Sequence, residues 1–187
     1  MNIDLLKLLS EFVPFDAREE SILILTQQFV AYCNTFFDVE EHNSMNRLAH
    51  KGHITGSAWI VDAEKKYTLL THHKKLNRWL QLGGHAEDGE ISVLDVAVRE
   101  AKEESGLTGI KLLSPNIFSV DVHLIPARKD FPAHHHYDIR FLFVADKNEP
   151  LNVSDESNDL KWILLEEVHQ YNNDVSILSM VEKMKRT

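Results

Sequence analysis

The chain of 187 residues has a single cysteine, Cys33, so no disulfide can form within it. Long apolar runs are missing too: none approaches the roughly 20 residues that a membrane span needs. The start, Met1-Asn2-Ile3-Asp4, has neither the basic residues nor the apolar stretch of a secretion signal. Together these absences predict a cytoplasmic protein with no membrane partner. Cationic residues are in deficit, with 20 Lys and Arg against 29 Asp and Glu and a net charge of −9. No basic stripe is available for a nucleic-acid backbone, which argues against a polymer partner. Internal repeats and low-complexity linkers are absent. What remains, 43% hydrophobic and 26% charged residues, has the composition of one globular domain with room for an extension.

The apolar periodicity divides the chain. Residues 1–48 read as a helical extension. Leu5 to Val13 form a short apolar helix ended by Pro14, and Asp16 caps a longer one from Ala17 to about Phe37. Ile22, Leu25, Phe29, Tyr32, Cys33 and Phe36 make a stripe on that second helix. Such a stripe is buried either on its own domain, the commoner fate, or in a homodimer. Residues 49–187 read as the main domain. Its expected strands are Ile54–Val61, Tyr67–Thr71, Ile110–Leu113, Ile117–Ile125, Tyr137–Ala145 and Leu160–Leu164, with Trp79 to Leu82 leading into a glycine loop. Glu166–His169 and Asp174–Lys185 read as helices. This order predicts an α/β fold in which helices sandwich a mixed sheet.

One helix stands out chemically. Glu100, Glu103 and Glu104 recur at i, i+3 and i+4, and a helix turns about 100° per residue, so they share a narrow sector. Three carboxylates on one face repel each other unless a divalent cation with oxygen ligands sits among them. Leu94, Ala97, Val98 and Ala101 form a separate apolar stripe. Ser92 is the expected N-cap and Gly106 the left-handed stop. Arg99 can reach Asp95 and Glu103, one turn either way. The glycines between Gly83 and Gly89 let the preceding loop turn tightly beside a ligand.

Gly84, Glu90 and the run Arg99-Glu100-Ala101-Lys102-Glu103-Glu104-Ser105-Gly106-Leu107 resemble the Nudix box, Gly-x5-Glu-x7-Arg-Glu-U-x-Glu-Glu-x-Gly-U with U aliphatic. The departure is that eight residues, not seven, separate Glu90 from Arg99. This bears on the role of Glu90 and leaves Glu100, Glu103 and Glu104 in register. Resemblance to the Nudix, or MutT-like, hydrolases implies an α/β/α sandwich. It also implies hydrolysis, with Mg²⁺ or Mn²⁺, of the diphosphate linkage of a nucleoside diphosphate joined to another group. On that resemblance Glu103 and Glu104 are metal ligands, and Glu100 is a ligand or the general base. The Gly83 carbonyl and Glu156, in the loop before the Trp162 strand, are further ligand candidates.

The 11 histidines are unusually many. His134 and His136 alternate on a strand with Asp138 and Arg140 behind them, so Arg140 could grip a phosphate of the substrate. His53 precedes the first strand and His85 follows the glycine pair. Those two positions are similar to metal-binding ones in isopentenyl-diphosphate isomerases. That weaker similarity makes an isomerase-like enzyme one alternative, although the isomerase's cysteine position is Gly83 here. His53, His85, His134, His136 and Arg140 are therefore expected to converge near the phosphates of a small-molecule nucleotide substrate. A non-catalytic nucleotide sensor is the other alternative, set against the intact glutamates. Trp59, Trp79, Tyr137 and Phe141 are the candidates to stack a base.

Overall fold

Strand β1 (Gly52–Asp62) is buried at every position, which requires partners on both edges and layers on both faces. The computed structural model, which describes residues 3–36, 52–87, 89–90, 92–127 and 132–186, supplies both. Part of the expected extension, residues 37–48, lies outside the described residues. The remaining strands are β2 (Tyr67–His73), β3 (Arg78–Leu80), β4 (Leu82–His85), β5 (Lys111–Leu112), β6 (Ser119–Ile125), β7 (His134–Ala145) and β8 (Ser157–Leu164). The helices are α1 (Ile3–Glu11), α2 (Ala17–Phe36), α3 (Val93–Ser105), α4 (Val168–Tyr171) and α5 (Val175–Met184).

The sheet is mixed. β1 runs parallel to β7 from the pair Gly52–His135 to the pair Asp62–Ala145, and antiparallel to β2 and β4. β6 and β5 pair with β7, and β3 and β8 pair with β2. Alternation along β1 feeds two cores. Ala58 and Ile60 join α1, α2 and α3 on one side, and Trp59 and Val61 join α4 and α5 on the other. This is the expected α/β/α sandwich with an N-terminal helical part. Among the described residues no helix is long and apolar enough to cross a membrane.

The structure corrects three expectations. Gly83 and Gly84 lie in a strand rather than a loop, with Gly83 opposite Ser57 and Gly84 opposite Gly56. The tract His134 to His136 lies inside β7, not ahead of it. On α2, Ile22, Leu23, Phe29, Val30 and Cys33 are buried within the chain, whereas Leu25 is 50% exposed. The apolar face is therefore rotated by about one residue from the expected stripe, because Leu23 and Val30 complete it.

A buried ion pair ties the N-terminal helices to the rest. Glu19, 2% exposed, accepts from Lys183 Nζ of α5 at 2.5 Å, from the Ser119 hydroxyl of β6 at 2.7 Å and from the Phe15 N–H at 2.7 Å. Arg18 reaches Asp121 at 2.6 Å, and Phe29 stacks on Tyr137 with ring centres 4.1 Å apart. Removing one partner of such a pair leaves an uncompensated buried charge, at a cost of about 3–5 kcal/mol. Glu19→Ala should therefore lower the stability of the whole chain by about that amount in urea unfolding. A loss below about 1 kcal/mol, the value of a surface pair, would mean that α2 is only loosely attached.

Candidate active site

Helix α3 is fixed at both ends. The Ser92 hydroxyl accepts from the Asp95 N–H at 3.3 Å, and Gly106 closes the helix at φ 71° with its N–H on the Lys102 carbonyl. Val93, Val96, Ala97 and Ala101 are buried, which turns the acidic sector toward β4. The helix lies so close to β1 that a Cβ on Gly56 would press on the Val93 carbonyl at 2.6 Å.

Each glutamate then has a distinct setting. Glu104 is 7% exposed and accepts from the Gly83 N–H at 3.1 Å. Glu100 lies against Gly84, where any Cβ would collide with its carboxylate. Glu103 is exposed and accepts from Arg99 Nη1 at 2.8 Å. Arg99 also donates to Glu100 at 3.0 Å, to the His85 carbonyl at 2.8 Å and to both oxygens of Glu90 at 3.0 Å each. Glu90 thus keeps its place beside Arg99 despite the longer spacing, helped by the Glu87 N–H at 2.8 Å. The expected reach of Arg99 to Asp95 is replaced by this bidentate pair, which is stronger because both oxygens are engaged.

Burial pushes the Glu104 carboxyl up to about 8, opposed by the Gly83 N–H and reinforced by the charges of Glu100, Glu156 and Glu103. Burial also raises Glu100, against the pull of Arg99 and with the charges of Glu103 and Glu156 adding to it. Glu156 sits on the exposed turn before β8, whose Glu156 carbonyl accepts from the Lys74 N–H at 2.9 Å. Gly83, the glutamates and Glu156 border one cleft of about 1160 Å³. That volume lies slightly above the usual range for small-ligand sites, roughly 300–1,000 Å³.

His85, His123 and His136 border the same cleft, and the buried His53 packs against two of them. β1 lies between β4 and β7, so His53 is flanked by His85 and His136, with ring centres 4.9 and 4.5 Å away. His134 is 5.1 Å from His53, and its Nδ1 donates to the Pro132 carbonyl at 2.9 Å. Burial and the neighbouring rings of His53, His85, His123 and His134 hold His136 far below the ordinary imidazole value. His123 is the member that sequence reasoning passed over. Its β6 register opposite His136 places the two rings 5.4 Å apart, and the Asp121–His123 alternation was the available signal.

Arg140 differs from the expectation of a phosphate grip. It is 3% exposed, and its nitrogens are engaged by Asp138 at 2.7 Å, the Ser176 hydroxyl at 2.6 Å and Asp121 at 3.4 Å. Asp138 also accepts from Thr55 at 3.0 Å, Ser57 at 2.7 Å and Gln81 at 3.0 Å. A guanidinium committed in this way stiffens the cleft floor, with every nitrogen already bonded within the protein. The stacking candidates are committed as well. Trp59 and Phe141 are fully buried, Tyr137 stacks on Phe29, and Trp79 stacks on His72 with centres 5.1 Å apart.

Residues 51–183 match the family model described as NUDIX domain. Among solved structures, the chain is similar to a NUDIX-family hydrolase from Clostridium perfringens at 26% identity and TM-score 0.55, covering 72% of this chain and 97% of that one. It is similar to an Ap4A hydrolase from C. elegans at 19% identity and TM-score 0.57, covering 71% and 95%. It is also similar to a MutT protein from Methanosarcina mazei at 19% identity and TM-score 0.55, covering 74% and 96%. No curated protein sequence that was compared matches the chain.

The raised Glu104 carboxyl has a consequence for stability. Its value when folded lies above the ordinary 4.5, so the folded state holds this proton more tightly than the unfolded state does. The group's contribution is full at acid pH and is lost as pH rises from about 4.5 through 8. Glu104→Gln removes the ionisation and keeps the shape. In chelator, the variant should melt above the wild type at pH 8.5 and level with it near pH 5. A constant offset across that range would refute the assignment of the raised value to Glu104.

Proposed function

The chain belongs to the NUDIX family of hydrolases, and on that premise we propose that it cleaves the diphosphate linkage of a nucleoside diphosphate joined to another group, using Mg²⁺ or Mn²⁺. Residues 49–187 would form the hydrolase domain and 1–48 its helical extension. The observation that carries the reading is Glu104: a nearly buried carboxylate held against the Gly83 N–H, beside Glu100 and within the field of Glu156, on the wall of a substrate-sized cleft. The bonds of Arg99 go to Glu90, Glu100, Glu103 and the His85 carbonyl, so Glu104 is left to another cation.

The donors fit a hard divalent cation, since they are oxygens only: Glu100, Glu103, Glu104, Glu156 and the Gly83 carbonyl. When bound, such an ion neutralises the diphosphate and lowers the pKa of an attacking water. The protein's own part is positional. Gly84 admits the Glu100 carboxylate to the strand because a Cβ there would collide with it, and the Gly83 N–H holds Glu104. Arg99 fixes Glu100 and Glu103 on the helix, and Glu100 is placed to serve as a ligand or to take the proton from water. The exposed Leu124 and Leu76 border the cleft and offer apolar surface to the group beyond the diphosphate.

The isomerase alternative is not favoured. A Cβ at Gly83 would collide with Ser57, and φ 153° there is strained for any side chain, so the position has no space for a thiol. Incubation with isopentenyl diphosphate should give no allylic product. Appearance of that product, lost on mutating His53, would reverse this conclusion.

Release of nucleoside monophosphate from a panel of nucleoside diphosphate derivatives, with Mg²⁺ and with Mn²⁺, tests the main reading. Turnover should require the cation. Glu104→Gln should lower it by about a hundredfold or more, several kcal/mol of lost charge stabilisation at ~1.4 kcal/mol per tenfold. Tight nucleotide binding without turnover would favour a sensor instead, and a folded, fully active Glu104→Gln would remove Glu104 from the site.

A further inference from the structure

We propose that His53, His85 and His136 form a second metal site, one for a transition-metal ion, on the cleft wall and separate from the carboxylates of α3. Their ligand atoms all lie within 4.8 Å of one another. His85 Nε2 and His136 Nε2 are 3.3 Å apart. Two imidazole nitrogens on one tetrahedral ion, each at ~2.0–2.1 Å, are separated by about 3.3–3.4 Å. That pair is therefore already at ligand spacing, and the third ring centre lies 4.5 Å from one and 4.9 Å from the other.

The scaffold supports the same assignment. The three residues come from three adjacent strands, with His53 in direct register with His136 and Thr55 with His85. Sites built on strands hold their geometry better than sites on loops. His134 lies beside the three, with its ring centre 5.1 Å from that of His53. Its Nδ1 donates to the Pro132 carbonyl, since a carbonyl can only accept.

The donor chemistry selects the ion. Three imidazole nitrogens suit Zn²⁺, Co²⁺ or Ni²⁺ and are poor ligands for Mg²⁺, which takes oxygens. The carboxylate set on α3 has the opposite preference. The two sites are adjacent but chemically distinct, and Arg99 joins them by donating to the His85 carbonyl while it holds Glu100. His85 and His136 also border the cleft, so an ion held there would face a bound phosphorylated substrate, a placement that rests on the proposed function.

The test uses untagged full-length protein, stripped with chelator and dialysed against Zn²⁺ in a large excess of Mg²⁺. A single equivalent of zinc should be retained. X-ray absorption of that zinc should show imidazole nitrogens at ~2.0–2.1 Å. His53→Ala and His136→Ala should lose the equivalent, whereas Glu104→Gln should keep it even though its turnover falls. Absence of Mg²⁺-resistant zinc, an oxygen-only absorption signature, or unchanged retention in both histidine variants would overturn the proposal. Where a histidine variant fails to fold, the absorption spectrum of the wild-type protein decides by itself.

Discussion

The parallel pairing of β1 with β7 is the constraint on which the site depends. Parallel strands need cover on both faces, and the cores on either side of β1 provide it. Once the register is set, Ser57 lies opposite Arg140 on one side and Gly83 on the other. His53 falls between His136 and the strand that carries His85. A slip of one residue would turn every one of these side chains to the other face. Gly56, on the same strand, brings α3 to the sheet because nothing larger fits beneath the Val93 carbonyl. The acidic sector and the histidine wall thus derive from a single pairing.

Two sets of buried charge border the cleft, and the protein treats them differently. Asp121, Asp138, Arg140 and Arg18 neutralise one another. Burial works against the Asp121 charge, yet the His123 contact and the guanidiniums of Arg140 and Arg18 hold its carboxyl well below the usual range. This set is saturated and belongs to the framework. The glutamates of α3 are not saturated: Glu104 is raised, and the charges around it are mostly of its own sign. Breaking the rule that buried charge is paired costs stability, and proteins accept that cost at functional sites.

Most of this was legible because the signals were local. Ser92 and Gly106 announce the ends of α3 by chemistry that needs no tertiary contact, and Glu100, Glu103 and Glu104 follow from the helical repeat. The alternation of His134 and His136 with Asp138 gave one face of β7. What could not be read was pairing between distant segments. Gly83 and Gly84 look like loop residues until β1 is placed beside them. Arg140 looks like a free phosphate ligand until Asp138, Asp121 and Ser176 converge on it from three other directions. Leu25 fits a helical stripe as well as Leu23 does, and only the position of the sheet decides which is buried. Glu90 shows the reverse case, since the extra residue before α3 changes the spacing in sequence but not the partner in space.

Arg99 shows how one side chain can hold a site together and still leave it free to respond. Its Nε and Nη2 are fixed on Glu90, and Nη2 also reaches the His85 carbonyl, so the guanidinium is anchored to the segment before the helix. Only Nη1 faces the catalytic candidates, and it is shared between Glu100 and Glu103. Glu103, with a side chain 57% exposed, exchanges this bond for water or a cation at little cost, because exposed ion pairs are worth ~0–1 kcal/mol. Glu100, 16% exposed and pressed against Gly84, has no such freedom. On the proposed function, a cation that took Glu103 would leave Arg99 held by Glu90 and the His85 carbonyl.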